Sequence, residues 1–321
     1  MHSKDLLPGV PLIESPLADP DDPAWDLDDA GRQVARDLQT RGYAVIDFPD
    51  PDFPARAMRI RARHATRFGV DLADPASDKT VGERRLQDLW KEDEDVRAIA
   101  TNPALLALLA KLWGRGAWPF QTLTFPVGTQ QAAHSDSLHF SSLPPRFMCG
   151  VWVAMEDVDG DSGPLEYVPG SHAWPIVDNA MIGRRGWQSD LASAQDPYGP
   201  AWSALVAQRG GPVERFHARK GQALIWCANL LHGGAPQLDP RRTRWSQVTH
   251  YFFDDCIYYT PAFSDEALGR LQLRQLTDIA SGQTRANTYL GEVVGPPPSH
   301  RPLKSGRLRK LARKIGKWGQ A

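Results

Sequence analysis

A chain of 321 residues with 41% hydrophobic residues can bury a sizeable core as one large domain with terminal additions. Its three cysteines, Cys149, Cys227 and Cys256, are too few and too irregular for a disulfide framework or a cysteine-based zinc site, which suits a reducing, cytoplasmic setting. The formal charge of −1 hides eight Lys or Arg and no acid in residues 301–321; no stretch approaches the roughly 20 apolar residues of a membrane span, and the N-terminus lacks a basic, then apolar, leader pattern.

In chain order, residues 1–24 are rich in Pro and Asp without sustained periodicity and are expected to form an irregular arm. The pattern predicts a helix over 28–40, a strand over 43–48 and a second helix from Pro54 to Phe68. Helix-rich sequence is expected over 86–113, where Asn102-Pro103 opens a strongly apolar helix. Beyond Gly116 the character changes to short strands separated by Gly, Pro and Asp. Strands are expected in 121–140, over 150–158, within the turn-strand-turn 162–172, after the Lys220-Gly221 turn, and over 243–253. Residues 173–219 carry Trp174, Trp187, Trp202, Arg184 and Arg185 and are expected to be an insertion over the mouth of the fold. This succession predicts a mainly β domain with packing helices, a double-stranded β-helix or cupin-like jelly-roll barrel, over 25–295. Residues 296–321 form a basic tail whose Leu308, Leu311, Ile315 and Trp318 fall near helical spacing. That spacing allows weak contact with an anionic membrane surface, but a solvated or self-docked helix is favoured, and no nucleic-acid motif accompanies it.

The chemistry concentrates in His134-Ser135-Asp136 and His232. Residues two apart on a strand share a face, so His134 and Asp136 with one distant histidine suit a facial triad for Fe(II), leaving positions open for a 2-oxo acid and O2. Alanine or glycine at 136 would open a place for a halide; the aspartate favours hydroxylation. Beyond His232 lies Arg241-Arg242-Thr243-Arg244. An anionic co-substrate's far carboxylate suits a guanidinium, and parity selects Arg244 with Ser246; Arg242 is the runner-up and Arg241 a solvated turn charge. His139 lies close enough to Asp136 to touch substrate, His250 shares the face of Arg244, His172 orients a loop, and His64 and His217 are expected to be exposed. Asp157-x-Asp159-x-Asp161 opens like a calcium loop but has Ser162 where glycine is needed and Val168 where glutamate is needed. Neither a nucleophile elbow, a phosphate loop nor a dinucleotide fingerprint is present.

The His-x-Asp, the stretch Gly163-Pro-Leu to Pro169-Gly-Ser-His172, and Leu231-His232-Gly-Gly234 followed by Thr243-Arg-x-Ser246 resemble the phytanoyl-CoA dioxygenase family across roughly residues 85–260. The resemblance implies the jelly-roll fold, Fe(II) and 2-oxoglutarate dependence, and 2-oxoglutarate binding by Arg244 and Ser246. It leaves the substrate open, a small molecule or one linked to a carrier or lipid. A cupin-like metal enzyme without 2-oxoglutarate, or a non-catalytic metal-binding barrel, are the alternatives.

Overall fold

The computed structural model describes residues 6–189, 194–209 and 211–296. Helix α1 (Asp29–Arg41) begins where the Asp28 carboxylate accepts the Gly31 N–H at 2.8 Å, and ends where Gly42 takes a φ of 81°. It buries Val34, Ala35 and Leu38 and leads directly into strand β1 (Tyr43–Asp47). Helix α2 (Phe53–His64) continues as one 3-10 turn to Phe68. Strand β2 (Leu86–Gln87) is followed by helices α3 (Glu94–Ala100) and α4 (Pro103–Trp113). Asn102 caps α4 by accepting the Leu105 N–H at 2.9 Å, and Pro103 occupies its first turn, where a missing N–H costs nothing.

The strand-rich half supplies β3 (Ala117–Phe125), β4 (Ser141–Leu143), β5 (Met148–Ala154), β6 (Leu165–Tyr167), β7 (Glu214–Phe216), β8 (Gln222–Cys227), β9 (His232–Gly234), β10 (Ser246–Phe253) and β11 (Ile257–Tyr259). Helix α5 (Gly199–Arg209) interrupts them. Six strands form an antiparallel sheet in the order β1-β8-β5-β10-β3-β2, and β7-β6-β9 form a smaller one. Strand alternation explains why every residue of β5 is buried. Val151 and Val153, with Ala223, Ile225 and Cys227 of β8, join the core that also receives α1, α2, α3 and α4. Trp152, Leu224, Trp226 and Val248 point the other way and meet Tyr167 and Phe216 of the small sheet. The two sheets enclose the barrel interior, the expected jelly roll braced by helices.

Several local expectations need correction. Leu86–Gln87 is an edge strand, not helix, because it pairs with Leu123–Thr124 of β3. Asp88 there takes a φ of 58°, which ends the strand before the helices begin. The long strand expected from Thr243 starts only at Ser246. Residues 94–113 are long and apolar enough by composition to cross a bilayer, more than the sequence reading allowed. They are two helices broken at Thr101–Asn102, with Leu105, Leu109, Leu112 and Trp113 in the core. Leu12 and Ile13 of the N-terminal arm are core residues too, and Glu14 pairs with Arg146 at 2.6 Å, so this part of the arm is anchored. His64 is buried, its Nε2 2.7 Å from Asp93, because the Asp93–Asp95 cluster with Arg56, Arg59 and Arg63 draws it inward. The basic tail lies outside the described residues, apart from its first residue.

Candidate active site

His134 and His232 are paired through their own backbones. The N–H of each donates to the carbonyl of the other, at 2.9 and 3.0 Å, in an antiparallel bridge that extends the small sheet. Their rings therefore stand side by side, centroids 4.5 Å apart. Each Nδ1 lies 3.0 Å from the carbonyl two residues upstream, of Ala132 and Leu230 respectively. A carbonyl only accepts, so each Nδ1 carries a proton, and Nε2 is the nitrogen that the neutral tautomer leaves with a lone pair. Both Nε2 atoms face Asp136, at 3.8 Å from Oδ1 and 3.7 Å from Oδ2. Asp136 is not on a strand as parity assumed. It opens a 3-10 turn, Asp136–Leu138, after Ser135 in extended conformation, and the turn swings the carboxylate toward the two rings.

Trp226 completes this centre by donating its indole N–H to Asp136 Oδ2 at 2.8 Å. The indole fits because position 150 on the neighbouring strand is glycine: a Cβ there would stand 2.0 Å from the Trp226 ring. Burial, reinforced by the His232 ring, pushes the His134 imidazole down to about 3, against the opposing pull of Asp136. Burial alone would raise the Asp136 carboxyl, but the imidazoles of His232, His250 and His134 outweigh it and hold it well below the ordinary range. At neutral pH the pocket thus presents a neutral His134 and a carboxylate, the protonation states a divalent cation requires.

The three side chains open into a cavity of about 530 Å³, within the range of small-molecule sites. Arg244 lies in its wall, only 1% exposed. One of its terminal nitrogens donates to the Gly163 carbonyl at 2.9 Å, while its Nε is buried without a partner. Burial brings this guanidinium down to about 10, partly countered by Glu156, so it remains charged. Arg242 and Arg241 sit on the surface, paired with Asp159 and Asp239. Ser246 departs from expectation: it is fully buried but does not line the cavity, because its short side chain turns back to the Arg244 carbonyl at 3.5 Å. Val248 and His250, of the same parity, do reach the cavity.

The model of the family described as phytanoyl-CoA dioxygenase matches residues 32–243, well over half the chain. The chain belongs to the phytanoyl-CoA dioxygenase family. It is accordingly an oxidoreductase by family. Solved structures share the fold at low identity. The carbocyclase SnoK of nogalamycin biosynthesis, α-ketoglutarate dependent, is 16% identical with a TM-score of 0.54, covering 85% of this chain and 96% of that one. EctD from S. alaskensis with 2-oxoglutarate and 5-hydroxyectoine is 18% identical with a TM-score of 0.53, covering 85% and 90%. The epimerase SnoN in complex with Fe3+, α-ketoglutarate and nogalamycin RO is 21% identical with a TM-score of 0.52, covering 74% and 87%.

In this member of the phytanoyl-CoA dioxygenase family, the insertion reaches the cavity through residues other than those expected. Ala194 and Gln195 line it, and Gln195 accepts a hydrogen bond from Gln131 at 3.1 Å. Arg184 bonds Asn179 and Arg185 pairs with Asp265, both around a separate hollow, and Trp187 does not line the cavity. Trp202 is buried against Leu138, Val168 and Leu231. His172 holds the Gln39 carbonyl at 3.1 Å away from the metal centre, and His217 is exposed, both as expected. His139 and His250 line the cavity. Trp226, Gln121, Arg85 and Arg274 do so as well, although sequence reasoning did not single them out. Alternation along the strand expected after the Lys220-Gly221 turn could have found Trp226, but Arg274 follows the last strand pattern and carries no motif.

Proposed function

We propose that this oxidoreductase uses Fe(II), 2-oxoglutarate and O2 to hydroxylate a small organic molecule, with release of succinate and CO2. The observation that carries this is the convergence of His134, Asp136 and His232, whose ligand atoms lie within 4.8 Å of one another, in one cavity with the anchored guanidinium of Arg244. Two imidazoles and one carboxylate are the donor set of non-haem Fe(II) oxygenases and leave coordination positions open. Bound iron would supply activation of O2 and oxidation of a substrate C–H bond, coupled to oxidative decarboxylation of 2-oxoglutarate.

The protein's own residues prepare that chemistry. His134 and His232 hold their protons on Nδ1 through the Ala132 and Leu230 carbonyls, presenting Nε2 to the metal. Trp226 fixes one carboxylate oxygen of Asp136, limiting its rotation. Arg244 offers an anchored guanidinium to the distal carboxylate of 2-oxoglutarate, in a pocket where a partnerless charge would be costly. Phe125, Leu165 and Val248 give this side of the cavity an apolar wall.

The test is iron-loaded protein incubated with 2-oxoglutarate, air and ascorbate against a substrate panel, reading succinate and product mass. A coupled substrate gains one oxygen atom, labelled when the gas is labelled. Product without succinate, or a chlorinated product, would overturn the reading. His134→Ala should lose iron and turnover together; full metal occupancy with full activity in that variant would remove His134 from the ligand set.

A further inference from the structure

Asp136 is the only acid among the described residues that line the cavity, whereas three arginines reach it: Arg244, Arg274 and Arg85. The charges of Fe(II) and dianionic 2-oxoglutarate cancel, and Asp136 offsets Arg244. That leaves Arg274 and Arg85 without a counter-charge. Among the described residues neither forms an ion pair, and burial depresses the Arg274 guanidinium to about 10. Arg274 is nevertheless held in place. One terminal nitrogen donates to the His139 carbonyl at 3.2 Å and to the Thr260 hydroxyl at 3.0 Å, and the guanidinium lies 4.8 Å from the centre of the Phe140 ring. Its Nε is buried and without a partner.

The location matters as much as the charge. Phe140 also packs on His250, centroids 5.0 Å apart, and His250 Nε2 lies 3.6 Å from Asp136. Arg274 therefore stands two aromatic rings, Phe140 and His250, from Asp136. Arg244 contacts Gly163 and Trp152 instead, so the two cations share none of these neighbours and belong to different walls. Arg85 is exposed to water within the cavity, and its charge and that of Arg274 both bear on His139. A fixed guanidinium that faces a cavity without a counter-charge is complementary to an oxyanion.

We propose that Arg274, with Arg85 and His139, forms a substrate subsite for a carboxylate or phosphate, so that the molecule oxidised is a small organic anion. This rests on the catalytic reading above and specifies its substrate class. Arg274 binds the anion beside the reacting centre, and Arg85 draws it in from solvent.

The experiment uses the full chain loaded anaerobically with Fe(II) and 2-oxoglutarate, titrated calorimetrically with hexanoate, hexyl phosphate and hexylammonium. At least one anion should bind and the ammonium should not; the preferred anion distinguishes a carboxylate from a phosphate subsite. Arg274→Gln should weaken that binding about 10- to 100-fold, as loss of a charge-assisted hydrogen bond implies, with the 2-oxoglutarate Kd essentially unchanged. Arg85→Gln should weaken it in the same direction and is safe for folding, since no hydrogen bond ties Arg85 to the described chain. Equal binding of anions and ammonium, binding of neither anion, or loss of 2-oxoglutarate binding in Arg274→Gln matching that in Arg244→Gln would overturn the proposal. If 2-oxoglutarate fails to bind the iron-loaded wild type while an anion still binds through Arg274, the catalytic reading fails and the subsite stands.

Discussion

Trp226 touches the centre twice, through its hydrogen bond to Asp136 and by packing on His232 with centroids 5.0 Å apart. Trp226→Phe keeps most of the packing and removes the bond. Iron affinity should fall about 10- to 100-fold, the usual cost of losing such an orienting partner, with the far-UV spectrum preserved. An unchanged metal titration would show that the indole N–H does not orient the carboxylate. A second expectation concerns pH. Burial pushes His134 down to about 3 and His139 and His172 to about 4, from 6.5. The unfolded chain takes up these protons near pH 6.5 while the folded chain refuses them until lower pH. Stability is therefore full above about pH 6.5 and drains as pH falls toward the folded values. Glu14 and Asp254, raised by burial against the pull of Arg146 and Arg285, act in the opposite sense, but they are two groups against three. Thermal melts of the metal-free protein should show Tm falling from about pH 7 to about pH 4.5, and a flat profile there would contradict the buried, neutral histidines.

Among the elements, α5 is attached to the barrel mainly through a small cluster, in which Trp202 and Tyr198 stack at 5.8 Å and pack on Val168, Leu138 and Leu231. Leu138 lies two residues beyond Asp136, and Leu231 immediately precedes His232. Trp202→Ala should cost about 3–5 kcal/mol of local packing, and because few other contacts hold α5, the loss should appear as local opening. Hydrogen exchange over 199–209 should accelerate while the six-stranded sheet stays protected; uniform acceleration would mean that the helix belongs to the global core. The legibility of the elements followed the same physics. Helix α1 was readable from its polar and apolar pattern, and α4 from Asn102 and Pro103, a local start signal. The reach of Ala194 and Gln195 into the cavity was not readable, since tryptophans and arginines stand out in a sequence but their inward or outward aim depends on tertiary partners such as Asp265. Asp136 shows how a right pairing can follow from a wrong local geometry. Two-residue spacing brought it to His134 through a turn, not through strand alternation.

At the scale of the whole molecule, the succession of short strands was enough to indicate a jelly roll, and the metal-ligand candidates marked its open end. What stayed hidden was the charge balance of the cavity, because Arg85 and Arg274 come from opposite ends of the domain and only the closed barrel brings them to one wall. The backbone bridge between His134 and His232 has a further consequence. Their spacing is set by two peptide hydrogen bonds that need no ion, so the metal-free fold already holds the rings side by side. A site built in advance cannot reject a competing ion by refusing to assemble, and intrinsic affinity for nitrogen and oxygen donors rises from Fe(II) through Co(II) and Ni(II) to Cu(II). The protein should therefore be prone to mismetallation. Protein exposed to equimolar Fe(II) and Ni(II) should emerge carrying mainly nickel, with unchanged melting cooperativity and no succinate formation, and elemental analysis beside a calorimetric scan would read both. Keeping this barrel in its working state then becomes a matter of metal supply in its surroundings, a task that its own architecture leaves to the cell.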